Sequence, residues 1–244
     1  MNTGSKIALV TGGAVRVGRA IVAEMTEAGW TLAFTYRSSA AAAHDLEGEL
    51  RARGIQALAI EADLDDHAAR SAVAQRVHDQ FGGLDALVNN AAVFPRTPFE
   101  GLTPTRLAAV MRTNLEAPIF LTQACAPLLR ARHGSVVNIV DIYGMFPLRH
   151  YFAYSVSKAA LIAATRSMAV ELAPEARVNA VAPGIAIFPD GYDEATRDRL
   201  LAKTLLQKEG GAVEIARAVR FLIEGTETVT GQVLTVDAGR SLMQ

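Results

Sequence analysis

The sequence predicts an α/β domain with a doubly wound parallel sheet and helices on both faces. Short apolar stretches with strand character alternate with longer stretches of helical periodicity along nearly the whole chain. A glycine-bearing turn separates the first strand from the first helix, and no repeat or low-complexity linker divides the 244 residues. A chain of this length ordinarily forms one domain, so we expect a single domain over residues 1–244.

The first half of the chain repeats a strand-turn-helix unit. Residues 6–11 are apolar enough for a buried strand, and residues 19–28 have helical periodicity before Gly29 ends the helix. The unit recurs with strand 31–36 and helix 41–53. It recurs once more with strand 55–61 and helix 66–81, and a further strand follows over 84–89. Because strands that alternate with helices are joined by crossovers, we predict a parallel sheet.

The second half begins with a long helical stretch over 103–132. Thr103 is its predicted cap and Pro104 its first helical residue, and we expect the helix to break near Asn114 and Pro118. The remaining predicted elements are three strands and two helices, namely strands 135–141, 177–181 and 233–236 and helices 152–172 and 212–223. With the four earlier strands, these elements complete the alternating pattern.

Residues 186–211 interrupt this alternation. The stretch contains Pro189 and three glycines, and a short helix is predicted near 194–203. Insertions beside the ligand edge of a sheet often carry function, so we predict a substrate lid, with structureless filler as the alternative.

The composition argues against two classes of partner. Lys and Arg number 24 and Asp and Glu number 25, which leaves a formal net charge of -1. Proteins that bind nucleic acid or anionic membranes usually carry an excess of basic residues, so we expect neither partner. No stretch approaches the roughly 20 apolar residues that span a bilayer, and the apolar run 7–10 is too short for a secretion signal. The single cysteine, Cys125, is typical of a reduced compartment, so we expect a cytoplasmic protein.

The turn over 11–18, with sequence TGGAVRVG, is the predicted phosphate site. Backbone N–H groups and the helix dipole can hold a pyrophosphate there, and glycines allow its close approach. This position after the first strand makes the fold Rossmann-like. Arg16 adds a positive charge toward phosphate or toward an acidic edge of a ligand.

The end of the second strand indicates which dinucleotide binds. Folds that bind NAD usually place Asp or Glu there, but this strand ends with Tyr36, Arg37 and Ser38. A guanidinium and hydroxyls suit a 2′-phosphate, so we predict NADPH, with a solvated surface arginine as the alternative for Arg37. Asp63 either accepts from the adenine amino group or caps the next turn.

Asp141, Tyr154 and Lys158 form the predicted catalytic group. Tyr154 and Lys158 are four residues apart on a predicted helix and share one face, where the ammonium should favour phenolate and lower the tyrosine pKa. Asp141 closes a strand at the same edge of the sheet. Its carboxylate would repel the oxyanion formed from a ketone, and it suits a ring nitrogen better. Asn114 either fixes a water in a proton relay or holds a bend in its helix.

In combination, these motifs resemble the short-chain dehydrogenases/reductases over essentially the whole chain. The motifs are the turn 11–18, Asn89-Asn90-Ala91, Asn114, Tyr154-x-x-x-Lys158 and Pro183-Gly184. The resemblance implies a seven-stranded sheet, commonly a homotetramer, with Tyr154 as acid/base, Lys158 binding ribose and Asn114 supporting a water chain. The residues expected to bind the cofactor are Gly12, Arg16, Val17, Gly18, Tyr36, Arg37, Ser38, Asp63, Leu64, Asn90, Ala91, Tyr154, Lys158, Pro183, Gly184 and Ile185.

One position departs from the common family pattern. Most members carry a serine that hydrogen-bonds the substrate carbonyl, whereas this chain has Asp141, which is similar to pteridine reductases. Arg16 and Phe94 also match those enzymes, in which the aromatic ring stacks on the pterin. The expected substrate-binding residues are therefore Arg16, Phe94, Asp141 and Tyr154, with packing under a loop as the alternative for Phe94.

The leading hypothesis is an NADPH-dependent pteridine reductase that delivers hydride to a C=N carbon of a dihydropterin or dihydrofolate. One alternative is a carbonyl reductase of ketones, quinones or acyl thioesters, in which Asp141 is protonated. The other is a non-catalytic regulator that binds NADPH. A second departure, Ile187 in place of a common threonine, leaves the nicotinamide carboxamide to the backbone of Ile185. The five histidines lack metal-ligand spacing, so we expect no metal.

Overall fold

The computed structural model describes residues 5–188 and 191–243 and contains one sheet of seven strands. The strands are β1 (Ile7–Val10), β2 (Thr31–Tyr36), β3 (Ala57–Glu61), β4 (Ala86–Asn89), β5 (Ser135–Ile139), β6 (Arg177–Pro183) and β7 (Val233–Val236). The α-helices are α1 (Arg16–Glu27), α2 (Ala40–Ala52), α3 (His67–Phe81), α4 (Pro104–Met111), α5 (Ala117–Ala131), α6 (Phe152–Leu172), α7 (Glu194–Leu201) and α8 (Ala212–Glu224).

The strand order is β3-β2-β1-β4-β5-β6-β7, and every neighbouring pair is parallel. The chain runs outward from β1 in one direction and then resumes beside β1 with β4. A crevice forms where this order reverses, at the carboxyl ends of the strands. The predicted doubly wound, Rossmann-like α/β class is confirmed.

Helices cover both faces of the sheet. On one face α1, α2 and α8 form an apolar cluster with the strands, which includes Phe34 of β2, Ile21 of α1 and Val219 of α8. On the other face α3, α5 and α6 pack through residues such as Val73 and Leu121. Strands covered on both faces need apolar residues at nearly every position, which explains the short apolar runs in the sequence.

Several element boundaries differ from the predicted ones. Helix α1 begins at Arg16 rather than at residue 19, because Val15 already has the extended backbone of a helix cap. The long helical stretch 103–132 divides into α4 and α5, which are joined by the π-helical turn Arg112–Glu116. The predicted break near Asn114 therefore takes the form of a wider helical turn that contains Asn114.

A chain of buried amides and hydroxyls crosses the middle of the sheet. Asn89 of β4 and Asn138 of β5 are paired in register, and Asn89 Nδ2 donates to Asn138 Oδ1 at 2.8 Å. Asn138 Nδ2 donates to Thr165 Oγ1 of α6 at 2.9 Å, and Asn89 Nδ2 also donates to Thr122 Oγ1 of α5 at 3.1 Å. These bonds tie β4 and β5 to the helices behind them.

Within the described residues, no helix has both the length and the apolar character required to cross a bilayer. The same residues contain no group of three or more His, Cys, Asp or Glu side chains arranged to hold a metal ion. Cys125 is fully buried in α5, and burial raises the pKa of its thiol to about 12. This thiol is therefore an apolar core residue rather than a nucleophile.

Candidate active site

A cleft of about 410 Å³ opens at the carboxyl ends of the strands. It brings together most of the predicted site residues, namely Gly12, Arg16, Val17, Gly18, Tyr36, Arg37, Ser38, Asp63, Leu64, Asn90, Ala91, Asp141, Tyr154, Lys158, Pro183 and Gly184. Among the described residues, Phe94, Asn114 and Ile185 are the predicted ones that do not line it. The residues that the sequence analysis did not single out are Val15, Thr35, Ala62, Asp65, Ala92, Val93, Thr113, Ile139, Val140 and Ala186.

The glycine turn can adopt its shape because its glycines have no side chains. A Cβ on Gly18 would lie 2.0 Å from the Gly12 carbonyl oxygen and 2.8 Å from Asn90 Nδ2. Gly12 has a φ of 62°, in the left-handed region that glycine adopts without strain. The turn therefore folds back on itself at the start of α1, and its glycines serve close packing of the turn as well as access for a ligand.

Thr11 links this turn to the end of β4. Its hydroxyl oxygen accepts hydrogen bonds from the backbone N–H groups of Asn90 and Ala91, each at 2.9 Å. Asn90 Nδ2 in turn donates to the Thr11 carbonyl at 2.9 Å. The two strands on either side of the reversal point are thus joined at the floor of the cleft. In the sequence, Thr11 is marked by its place at the end of the predicted first strand, where it opens the TGGAVRVG turn.

Arg37 and Asp63 flank the far end of the cleft. Arg37 Nη1 lies 3.7 Å from Asp63 Oδ1, and both side chains are about half exposed. An ion pair this long and exposed contributes little to stability, so the guanidinium is free to turn toward an anionic ligand. Asp63 Oδ1 also accepts from the backbone N–H of Asp65 at 3.1 Å, as in the capping alternative. Both roles predicted for Asp63 are compatible with this position.

Asp141 and Tyr154 are in direct contact in the cleft. The Tyr154 hydroxyl donates to Asp141 Oδ2 at 2.7 Å, and the backbone N–H of Tyr143 donates to Asp141 Oδ1 at 2.8 Å. Asp141 lies two residues after the end of β5 and caps the short 3₁₀ turn Ile142–Gly144. Tyr154 lies in the first turn of α6, which brings the phenol to the end of that strand.

Burial and mutual contact shift the pKa values of this pair upward. Burial raises the pKa of Asp141 to about 6, and the hydrogen bonds from Tyr143 and Tyr154 and the charges of Lys158 and Arg240 offset only part of that increase. Burial and the neighbouring Asp141 carboxylate raise the pKa of Tyr154 well above its ordinary value. The predicted lowering of the tyrosine pKa is therefore wrong, because the phenol is buried and contacts a carboxylate rather than an ammonium.

Lys158 is buried one turn beyond Tyr154, and its ammonium is directed at the backbone. Lys158 Nζ donates to the Ile139 carbonyl at 2.7 Å and lies 5.8 Å from the centre of the Tyr154 ring. Burial lowers the pKa of Lys158 to about 8, and the charge of Asp141 offsets part of that decrease. The ammonium is thus at the cleft wall, where it can donate to a ligand without contacting the phenol.

Asn114 is buried in the π-helical turn, and both its donor hydrogens have protein partners. Its Oδ1 accepts from the Val93 N–H at 2.8 Å, and its Nδ2 donates to the Val93 carbonyl at 2.9 Å and to Ser157 Oγ at 3.1 Å. Ser157 Oγ donates to the Tyr154 carbonyl at 2.7 Å. Asn114 therefore fastens the loop after β4 to α6 beside Tyr154, while its part in a water relay stays a prediction.

Phe94 lies at the mouth of the site. Its ring stacks on Tyr151 with 4.4 Å between ring centres and meets the Tyr154 ring edge-on at 4.5 Å. About half of the Phe94 surface is exposed. The ring is therefore held next to Tyr154 while part of its surface remains exposed.

Among the described residues of the predicted lid, Ala186 is the one that lines the cleft. Ile185, by contrast, uses its carbonyl to accept from the N–H groups of Gly210 and Gly211. Pro189 lies outside the described residues. Helix α7 forms close to its predicted position, and the role of residues 186–211 as a lid stays a prediction.

Comparison with known proteins extends over nearly the entire chain. Residues 13–241 match the family model described as enoyl-(acyl carrier protein) reductase. The chain is 32% identical over 240 residues to the 3-oxoacyl-[acyl-carrier-protein] reductase FabG of Staphylococcus aureus (strain Mu50), covering 96% of this chain and 98% of the relative. It is 33% identical over 242 residues to the dihydromonapterin reductase of Klebsiella pneumoniae, covering 96% of each.

Solved structures give the same picture of the fold. FolM alternative dihydrofolate reductase 1 from Brucella canis, complexed with NADP, superposes with a TM-score of 0.89 at 31% identity. The alignment covers 97% of this chain and 94% of that one. The chain is thus similar both to a reductase of acyl thioesters and to reductases of pterins and folates.

Proposed function

We propose that this chain, which belongs to the short-chain dehydrogenase/reductase family, is an NADPH-dependent pteridine reductase that reduces a C=N bond of a dihydropterin or dihydrofolate. The observation that carries the proposal is the Asp141 carboxyl group, which lies in the cleft and accepts a 2.7 Å hydrogen bond from the Tyr154 hydroxyl. Oxidoreductase chemistry follows from the family. The choice of a nitrogen heterocycle as substrate follows from this carboxyl group.

The carboxyl group favours a nitrogen heterocycle for an electrostatic reason. Reduction of a ketone places negative charge on oxygen, and a carboxylate at hydrogen-bond distance would oppose that charge in a buried site. Reduction of C=N places the developing charge on a nitrogen that accepts a proton. Pterins also carry N–H groups that a carboxylate can accept from. As a carboxylate Asp141 can therefore anchor such a ring, or as a neutral acid it can assist protonation of the ring nitrogen.

The cleft fits a dinucleotide at its other end. The glycine turn supplies backbone donors at the start of α1, and Arg37 and Ser38 line the region beyond β2. With no carboxylate at the end of β2, a 2′-phosphate can be accepted there, so the proposed cofactor is NADPH. NADPH supplies the hydride when it is bound. Lys158, buried in the cleft wall, would donate to the ribose, and Asn90 and Ala91 would line the path between the two halves.

The proton comes from the Asp141–Tyr154 pair in this proposal. The pKa of Tyr154 is raised, so the phenol is protonated near neutral pH and is a weak acid by itself. When Asp141 is also protonated, below its pKa of about 6, the pair holds a second, more acidic proton. Donation from Tyr154 to the ring nitrogen can then be followed by transfer from Asp141 to the tyrosine oxygen, which restores a neutral phenol.

Two of the relatives reported above support this reading through their names. Dihydromonapterin reductase and the alternative dihydrofolate reductase act, by name, on pterins or folates. Phe94 lies next to Tyr154 and is about half exposed, so we propose that the face of its ring not covered by Tyr151 stacks on the pterin. We also propose that residues 1–244 form a single domain, with residues 186–211 as its lid. We propose further that the protein is a homotetramer, and light scattering can test this oligomeric state.

A spectrophotometric assay of NADPH oxidation tests the substrate class. The panel contains dihydrobiopterin, dihydromonapterin, dihydrofolate, their fully oxidised forms and a set of ketones. We expect turnover with at least one dihydro compound and at least tenfold lower kcat/KM with every ketone. Turnover of ketones with none of the pterins or folates would refute the proposal. Asp45→Asn, on the exposed face of α2, serves as the control carboxylate substitution.

A second candidate function is reduction of a carbonyl group, such as that of a 3-oxoacyl thioester. It is favoured by the similarity to FabG and by the raised pKa of Asp141, which makes a neutral hydroxyl donor accessible at mildly acidic pH. Asp141→Ser separates the two. It should abolish turnover of pterins if the carboxyl group anchors them, and it should increase ketone reduction if the carboxylate obstructs it.

A further inference from the structure

The carboxyl-terminal segment contacts the loop that holds Asp141. After β7, Asp237 accepts from the N–H groups of Gly239 and Ser241 at 2.9 and 2.7 Å, which shapes the short 3₁₀ turn Arg240–Leu242. Asp237 also packs against Gly184, directly after β6, since a Cβ on Gly184 would lie 2.7 Å from the Asp237 Cβ. The base of Arg240 is therefore fixed to the edge of the cleft.

The Arg240 side chain bridges two parts of the molecule. Its Nη1 donates to the Leu200 carbonyl in the last turn of α7 at 3.3 Å, and its Nη2 donates to the Tyr143 hydroxyl at 3.4 Å. Both partners are neutral, and within residues 5–188 and 191–243 no carboxylate forms an ion pair with Arg240. Its positive charge therefore remains available to act on groups in the cleft.

We propose that Arg240 is a positioning residue that couples helix α7 to the Asp141–Tyr154 pair. The Arg240 guanidinium contacts both the last turn of α7, within the segment 186–211, and the hydroxyl of Tyr143. The backbone N–H of Tyr143 in turn donates to Asp141. A displacement of α7 therefore displaces a positive charge relative to the carboxyl group that shares a proton with Tyr154. This inference rests on the proposed function in one respect, because only that function gives the proton shared by Asp141 and Tyr154 a catalytic role.

The electrostatic surroundings of Asp141 make this coupling effective. Tyr154 and Lys158 face it from α6, Tyr143 faces it from the 3₁₀ turn after β5, and Arg240 faces it from the carboxyl-terminal segment. The charges of Lys158 and Arg240 both lower the Asp141 pKa against the effect of burial. Of these two cations, Arg240 is the one joined to α7. A change in its position changes how strongly Asp141 holds its proton.

The test uses the whole protein without substrate, so it is independent of whether pterins are turned over. Carbon-13 NMR titration of Asp141 reports its pKa, and hydrogen exchange reports the stability of 194–201. We expect Arg240→Gln to raise the Asp141 pKa by about half a unit or more and to speed exchange in α7. Arg217→Gln, which removes an exposed arginine that pairs with Glu214 on α8, should change neither.

Two further variants separate charge from geometry. Arg240→Lys keeps the charge and should leave the Asp141 pKa closer to that of the wild type than Arg240→Gln does. Tyr143→Phe removes the hydroxyl that Arg240 contacts and keeps the backbone bond to Asp141, so it should speed exchange in α7. Faster exchange in Arg240→Gln with an unchanged Asp141 pKa would mean a purely structural role and would overturn the proposal. So would a changed pKa without any change in α7.

Discussion

Replacing Asp141 by asparagine should make the protein more stable at neutral pH while impairing its chemistry. The carboxyl pKa rises from its ordinary value of 3.8 to about 6 on folding, chiefly because the group is buried. The folded protein then binds this proton more tightly than the unfolded chain. The stability contribution is fully present below pH 3.8 and is lost as the pH rises to about 6.

The size of the effect follows from the two pKa values. At 1.36 kcal/mol per pH unit, the difference corresponds to about 3 kcal/mol of destabilisation when Asp141 is ionised. An asparagine is never charged, and its oxygen can still accept from the Tyr143 N–H. We expect a gain of about 1 to 3 kcal/mol at pH 8, or roughly 2 to 4 °C in Tm for each kcal/mol.

Thermal and urea unfolding at pH 4 and pH 8 measure this prediction directly. Asp141→Asn should raise Tm at pH 8 and should have little effect at pH 4, where the aspartic acid is itself neutral. The control Asp45→Asn removes an exposed carboxylate of α2 and should not show this pH dependence. A stabilisation that is equal at both pH values, or a loss of stability at pH 8, would refute the reasoning.

Four further outcomes follow from the site. Arg37→Ser should raise KM for NADPH about tenfold to a hundredfold and leave KM for NADH unchanged, in steady-state assays, because a charge-assisted bond to the 2′-phosphate is lost; an equal effect on both cofactors would contradict it. Gly18→Ala should weaken NADPH binding about tenfold or more by titration, since its Cβ overlaps the turn, whereas Gly48→Ala in α2 has free space and should not. Turnover should fall as the pH rises through about 6, as Asp141 loses its proton, and Tyr154→Phe should lower kcat about 10²- to 10⁴-fold; a flat profile between pH 5 and 7.5 would contradict this proton source.

The fold could be predicted because its signals are local and repeated. Buried strands and helices with apolar faces differ in period, and their alternation along the chain specifies a parallel sheet. The same logic places Asp141 and Tyr154 near each other. Asp141 lies at the carboxyl end of one predicted strand, and Tyr154 lies in the first turn of the helix that follows it. The 2.7 Å contact between them lies within what that argument anticipated.

Other features depend on partners that no local pattern specifies. Lys158 was expected beside the phenol, but in the structure its ammonium donates to the Ile139 carbonyl. Spacing along a helix defines the face on which a side chain lies, and it does not define the acceptor that a buried cation finds. The contact between Arg240 and Tyr143 joins residues 97 positions apart, so it emerges only from the folded chain.

The amide pair in the centre of the sheet has a consequence for how the chain selects its native state. A slip of one residue between β4 and β5 would turn Asn89 or Asn138 toward the opposite face of the sheet. Its amide would then lie among aliphatic side chains without a hydrogen-bond partner. Misaligned sheets are thereby disfavoured during folding, at the two strands whose ends lead to Asn90 and to Asp141. The alignment of cofactor and acid thus begins in the interior, well below the surface where the reaction takes place.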